Sequence, residues 1–353
     1  MSTTALISWP SVPVEIVRAA GLRPVVMRGG EAPTAAADAY LEPRIFPSRL
    51  RQLVDAALTG RLADAACIVI PRTSDADYKC FLYLRELVRR GVISALPPVV
   101  LFDLLQSEGA QVREYDASRT KALVGELGAL SGSPPSSDDL REEIVRTNSA
   151  RAAARRLAAL RRAAPRVAGA EVLPLLAAFW NTAPDEYVAM ANRAADDIAV
   201  QAPLPGPRVE LMGAPVDGAH LHAAIESHGA VVVAEAGPYG SEAAGDDVAS
   251  DGDPVLALAD RYRTDPTGAR APVGAVRRWT ERALDGVDAV VVSLPPDDTV
   301  FGWDYPALRD RLGARGIPHA CLRCDPYEPP TRSDHERLRV MVAAAGRGEP
   351  HRG

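Results

Sequence analysis

The chain has 353 residues, 47% of them hydrophobic and 24% charged, with a net charge of −6. That length exceeds what one ordinary core accommodates, so two compact domains with connecting helices are expected, and the apolar content is that of a globular chain rather than a disordered one. The acidic balance argues against a nucleic-acid partner, and no apolar run reaches the roughly 18–20 residues that a membrane span needs.

Short Val/Ile-rich runs bounded by Gly or Pro alternate with helix-period segments, the pattern of βαβ units around parallel sheets. Strands are predicted at residues 5–8, 24–27, 67–71 and 98–102, with helices at 14–20, 47–58 and 77–90 between them. A polar, Arg/Ala-rich stretch with an apolar stripe predicts a helix over 138–162, and two more follow at 172–180 and 185–200. Pro203, Pro205 and Pro207 then end the helices and mark a linker. Strands at 209–213, 230–235, 289–293 and 318–323 alternate with helices at 219–227, 254–262, 275–284 and 305–312, and a last helix covers 334–345. The expected fold class is α/β: two Rossmann-like (flavodoxin-like) parallel-sheet domains, 1–117 and 205–353, with a helical connecting segment at 118–204.

The two α/β parts look like repeats. One contains CIVIPRTSDADYKCFLYLRELVRRG before LPPVVLFD, and the other contains AVVVSLPPDDTVFGWDYPALRDRLGARGIPHACLRCD. Each is a strand, a polar loop with acidic residues, an amphipathic helix, a Gly and a strand ending in Asp (Asp103 and Asp325). Ligands of open parallel sheets bind beyond the carboxyl ends of the strands. The loops 72–77 and 295–299 are therefore expected to face one cleft, lined by Thr73, Ser74, Asp75, Asp297 and Asp298, with Trp9 as a wall. Paired carboxylates there could share a proton or hold a divalent cation. The plainer readings stand beside these: Ser74 as a helix N-cap, Trp9 as core, the loops as solvated turns.

No Gly-rich phosphate loop, HExxH, nucleophile elbow or Cys-pair zinc set occurs. Cys321-Leu-Arg-Cys324 lies on a strand rather than at a helix N-terminus, so it reads as packing and not as a redox pair. His220 and His222 point different ways from one helix start, and no metal site is expected. The acidic stretch 242–253 lacks calcium-loop spacing and reads as a flexible, solvated lid or insertion. The N-terminus has neither the basic start nor the apolar core of a secretory leader, and Cys67, Cys80, Cys321 and Cys324 are too few and too irregular for a secreted disulfide framework. A cytoplasmic location is expected.

Several stretches in order resemble the cluster-carrying subunits of 2-hydroxyacyl-CoA dehydratases and benzoyl-CoA reductases. VPVEIVRAAGLRPVVMRG is similar to their strand–helix–strand "P-E-L-x-x-A-A-G-x-x-P-V", and DAACIVIPRTSDADYK resembles the strand and loop that read "T/S-C-D". LREEIVRTNSARAAARRLAALRR, with Asn148, resembles their central helix. VELMGAPVDGAHLHAAIESHGAVVVAEAGPYG and the DGVDAVVVSLPPDDTVFGWDY stretch resemble the opening of the second domain and the segment carrying the last cysteine. The resemblance runs from about residue 5 to 345.

In that family three cysteines hold one [4Fe-4S] cluster, which supplies the electron for dehydration through a ketyl radical. The resemblance puts these positions near Phe46–Pro47, at Ser74, and at Asp297 or Asp298, none of them a cysteine. Ser and Asp are hard oxygen ligands, poorly suited to a site built on soft thiolates. The resemblance also makes Glu235, Tyr239 and Gly240, at and after a strand of the second domain, substrate-facing candidates, although a plain turn at Tyr239-Gly240 is equally open. Three functions follow as expectations: a subunit without its own cluster, paired with a related cluster-bearing chain; an iron-independent enzyme or acyl-thioester binder, with acyl-CoA as ligand; or a non-catalytic structural or regulatory protein. No cofactor is expected on this chain.

Overall fold

A computed structural model describes residues 3–105, 107–265, 271–296, 298, 301–325 and 327–347. In chain order the elements are β1 (Thr4–Ile7), α1 (Val14–Ala19), β2 (Arg23–Val26), α2 (Ala35–Asp38), α3 (Ser48–Leu58), β3 (Cys67–Pro71), α4 (Asp75–Arg89), β4 (Val99–Phe102), α5 (Ala110–Ser131) and α6 (Ser137–Ala163). They continue with α7 (Gly169–Ala177), α8 (Pro184–Ala199), β5 (Arg208–Gly213), α9 (His220–Glu226), β6 (Val231–Glu235), α10 (Pro254–Arg263), α11 (Val273–Ala283), β7 (Ala289–Leu294), α12 (Tyr305–Ala314), β8 (His319–Arg323) and α13 (Arg332–Ala345). The chain forms two units, Met1–Asn148 with Asp246–Ala275, and Ser149–Gly245 with Val276–Gly353.

Each unit holds a four-stranded, all-parallel sheet, in the order β2-β1-β3-β4 and β6-β5-β7-β8 respectively. The two orders are the same when counted within each unit, so the repeat in the sequence is a repeat of topology. All five residues of β3 and all six of β7 are buried, which is why CIVIP and AVVVSL read as unbroken apolar runs rather than alternating ones. In the first unit Ile68 and Ile70 of β3 pack against Leu50 and Leu53 of α3 and Leu84 of α4. In the second, Leu211 and Val291 meet Ile225 of α9 and Leu338 of α13, while Val290 and Val292 meet Ala283 of α11 and Leu312 of α12. Helices thus cover both faces of that sheet, as parallel strands with two apolar faces require.

Two departures from the sequence expectation have identifiable causes, one local and one long-range. The helix predicted from residue 77 starts at Asp75, because Ser74 caps it: the Ser74 hydroxyl accepts from the Asp77 N–H at 3.2 Å. Helix α5 begins at Ala110 with no amphipathic stripe to announce it, and its buried residues include Asp116 and Thr120. Asp116 accepts from the Leu105 N–H at 2.8 Å and pairs with Arg263 of α10 at 3.2 Å. Two further long-range links hold α10 in the first unit: Arg113–Asp260 at 2.6 Å, and the Tyr262 hydroxyl donating to Glu15 at 2.9 Å.

The acidic stretch 242–253 is not solvated along its whole length, as the sequence suggests. Ala243, Ala244 and Val248 are buried, and the Asn148 amide clasps the Val248 backbone through both its N–H and its C=O. Among the described residues no helix is long and apolar enough to cross a membrane.

Candidate functional site

Strand order reverses between β1 and β3 in the first unit and between β5 and β7 in the second, and crevices of open α/β sheets lie at the carboxyl ends of such neighbours. In the first unit that place is occupied by Ser8-Trp9 after β1 and by Arg72-Thr73-Ser74 after β3. The Ser8 N–H bonds the Val69 carbonyl at 3.1 Å and the Arg72 N–H bonds Phe102 at 2.9 Å, so both loop starts continue the sheet.

Three of the predicted residues meet here, through two that the sequence reading missed. Arg49 of α3 donates to the Ser8 carbonyl at 3.0 Å, pairs with Asp77 at 2.7 Å and stacks 4.6 Å above the Trp9 ring. The other Asp77 oxygen accepts from Thr73 at 2.6 Å and from Ser74 at 2.7 Å. Each hydroxyl has one proton, and both protons are committed to Asp77. Asp75 lies exposed in the first turn of α4, where a carboxylate complements the helix dipole. Beside this cluster Arg72 pairs with Asp103 at 3.0 Å and stacks on Tyr78. The crevice between Ser11, Arg72, Thr73 and Leu104 encloses about 10 Å³, room for about one water.

The missed pair did leave a trace. Arg49 sits directly before Leu50 on the apolar face of α3, and Asp77 stands three residues after Ser74, the spacing of a reciprocal cap.

In the second unit Gly213 ends β5 at φ +100°, where a Cβ would lie 2.2 Å from the Ser293 carbonyl oxygen; glycine lets the two strand ends come together. Asp298 accepts from the Phe301 N–H at 3.1 Å and also from that of Gly302, opening a single 3-10 turn. Asp297 lies outside the described residues.

Glu235, at the end of β6, is 3% exposed. One of its oxygens pairs with Arg161 and His222 at 2.8 and 2.6 Å; the other pairs with Arg161 at 2.5 Å and accepts from the Ser241 N–H at 3.1 Å. Burial alone would raise its pKa, but the Arg161 guanidinium and His222 hold it well below the usual carboxylate range. Gly240 packs directly over this carboxylate: a Cβ there would fall 2.2 Å from Glu235 Oε2. Tyr239 is buried. The structure thus joins Glu235 and Gly240 in one ionic cluster, with Arg161 as its unforeseen member. Its signal was positional, since Ala150, Ala154, Leu157 and Arg161 form one buried stripe on α6. An arginine in such a stripe needs a buried acid.

The positions that the resemblance gives to cluster cysteines carry no thiol. Phe46 is buried and packs edge-on against Tyr83, with ring centroids 5.6 Å apart. Ser74 is a helix cap. The thiols lie elsewhere: Cys67 within β3 and Cys80 on the inner face of α4 are fully buried, and Cys321 and Cys324 are half-buried. Burial pushes Cys67 up to about 11, and burial together with the Asp77 carboxylate pushes Cys80 up to about 12, against the pull of Arg49. Among the described residues no three His, Cys, Asp or Glu side chains gather as a metal site.

Residues 11–344 match the family model described as 2-hydroxyglutaryl-CoA dehydratase, D-component. No curated protein matches the chain.

Proposed function

The chain belongs to the 2-hydroxyglutaryl-CoA dehydratase D-component family, and we propose that it acts as a subunit without its own [4Fe-4S] cluster in a heteromeric dehydratase- or reductase-like complex. One observation carries this reading. Ser74, which stands where the resemblance puts a cluster cysteine, spends its hydroxyl on capping α4 and on the Asp77 carboxylate. A hard oxygen already bound twice within the fold is a poor substitute for a thiolate. The four real thiols are held protonated by burial or lie on β8 and just after it.

In this reading a related chain of the same fold, with its cysteines intact, holds the cluster and the redox chemistry. The present chain contributes interface and pocket wall around an acyl-CoA or other acyl-thioester, in the cytoplasm. An iron-independent enzyme built on Thr73, Ser74, Asp75, Asp297 and Asp298 has less support, because the Thr73 and Ser74 protons are committed to Asp77 and Asp298 is engaged in its own turn. A purely structural role predicts the same iron content and is separated from the proposal by activity of the complex.

The test is anaerobic co-expression with the related cysteine-bearing chain, separation of the subunits and iron analysis of each. Iron and charge-transfer absorption are expected to follow the partner. Stoichiometric iron on the present chain overturns the proposal.

A further inference from the structure

The second unit contains a cavity of about 240 Å³. It includes none of the residues singled out above as site candidates. Its wall carries Arg155 and Arg162 from α6, Trp279 and Arg282 from α11, and Ser241 and Glu242 from the segment after β6.

The three guanidiniums differ in what already holds them. Arg162 pairs with Glu210 at 2.9 Å, and its other terminal nitrogen donates to the Ala283 and Asp285 carbonyls at 2.7 and 2.8 Å, closing the end of α11. Arg155 donates to the Gly245 carbonyl at 2.9 Å. Both are thereby fixed in place. The Arg282 side chain has no hydrogen-bond or ion-pair partner among the described residues, and it is exposed at the cavity mouth.

Three arginines and one carboxylate, Glu242, line the wall, and the carbonyls at the end of α11 that would offer negative potential are already taken by Arg162. Behind Arg162, burial pushes Glu210 up to about 8 against the pull of Arg162 itself, so near neutral pH that carboxyl neutralises its partner only in part. A guanidinium offers a planar fork of N–H donors matched to oxyanions. One or two such forks satisfy a carboxylate, whereas three around a single space suit a tetrahedral dianion.

We propose that this cavity binds a phosphate-class oxyanion, with Arg282 as the recognising cation and Arg155 and Arg162 as its fixed supports. The ligand is either free phosphate or the phosphate of a small monoester whose planar group lies against Trp279. The inference does not depend on which subunit of the proposed complex carries iron.

The test is calorimetric titration of the full-length chain with inorganic phosphate and, separately, phenyl phosphate, at constant ionic strength with chloride as the control anion. Saturable binding of phosphate at one site is expected, weakened about tenfold or more by Arg282→Gln. The melting temperature of that variant without phosphate should match the parent, because the side chain is exposed and unpaired in the fold. Tighter binding of phenyl phosphate identifies a monoester site, and equal binding identifies a site for the free anion. Absence of saturable binding by either compound, or unchanged affinity in Arg282→Gln, overturns the proposal.

Discussion

Arg49 holds Asp77 at 2.7 Å with both side chains withdrawn from solvent, 9% and 0% exposed, and the pair fixes the loop after β1 to the loop after β3. A buried ion pair is costly to break from one side, because the remaining charge stays desolvated and unpaired. Arg49→Met should therefore destabilise the protein by about 3–5 kcal/mol, whereas Ser74→Ala, which removes a cap, should cost about 1 kcal/mol. Urea unfolding of the two variants measures the contrast. Equal, small effects would mean that the pair does not organise the loops.

Asp298 and Ser74 both lie beyond strand ends, where side chains contribute to turns more than to packing. Asp298→Ala and Ser74→Ala should each cost roughly 1 kcal/mol in stability. In the assembled complex the same changes should lower binding or activity about tenfold or more, since a charge-assisted hydrogen bond to a ligand is worth about 1.5–3 kcal/mol. Melting curves run beside an activity assay decide it. Full activity in both variants removes these loops from any ligand site.

The Arg161–Glu235–His222 cluster predicts a second sensitive point. Glu235→Gln leaves the Arg161 guanidinium, 0% exposed, without its counter-charge and should destabilise by about 3–5 kcal/mol. The folded carboxyl of Glu235 lies below its ordinary value of 4.5. Its contribution is therefore present above pH 4.5 and lost only as pH falls through the depressed folded value. The parent should keep this contribution well into acid, and Glu235→Gln should show a flatter loss below pH 4.5. Acid titration followed by circular dichroism tests this; identical acid profiles would contradict it.

Glu210 predicts the opposite sign. Its folded pKa is raised to about 8, so between pH 4.5 and 8 the folded state keeps a proton that the unfolded state releases. Stability should accordingly fall as pH rises across that window, with a slope of at most about 1.4 kcal/mol per pH unit. Glu210→Gln should flatten this decline while keeping an acceptor for Arg162. Urea unfolding at pH 5, 6.5 and 8 measures it, and an unchanged slope in the variant would show that the Arg162 pairing prevails over burial.

The thiols offer a direct chemical check. Cys67 and Cys80 should resist an aromatic disulfide reagent at pH 8 in the native protein, since each is buried and holds its proton far above that pH. The half-buried Cys321 and Cys324 should react slowly, and all four should react once the chain is unfolded. Rapid native reaction of four thiols would refute the burial of the first two.

Much of the architecture was legible in the sequence because parallel strands buried on both faces must be continuous apolar runs, and CIVIP and AVVVSL are such runs. The repeat, the strand ends and the positions of Trp9, Thr73 and Ser74 at a strand-order reversal follow from that local code. Most of helix α5 falls in the helical segment expected over 118–204, but its start at Ala110 was illegible for the converse reason: its apolar residues make no stripe, and it is held by Asp116 pairing with Arg263, 147 residues away. The same kind of long-range link decided which unit α10 joins. Which charges became structural was likewise decided in three dimensions. Arg49, Asp77, Arg161 and Glu235 are ordinary charged residues in the chain, and only the fold withdraws them from water, where each must find its opposite. The sequence shows no thiol at the positions that the resemblance gives to cluster cysteines, but only the tertiary structure could show that the Ser74 hydroxyl at one of them is already engaged by Asp77.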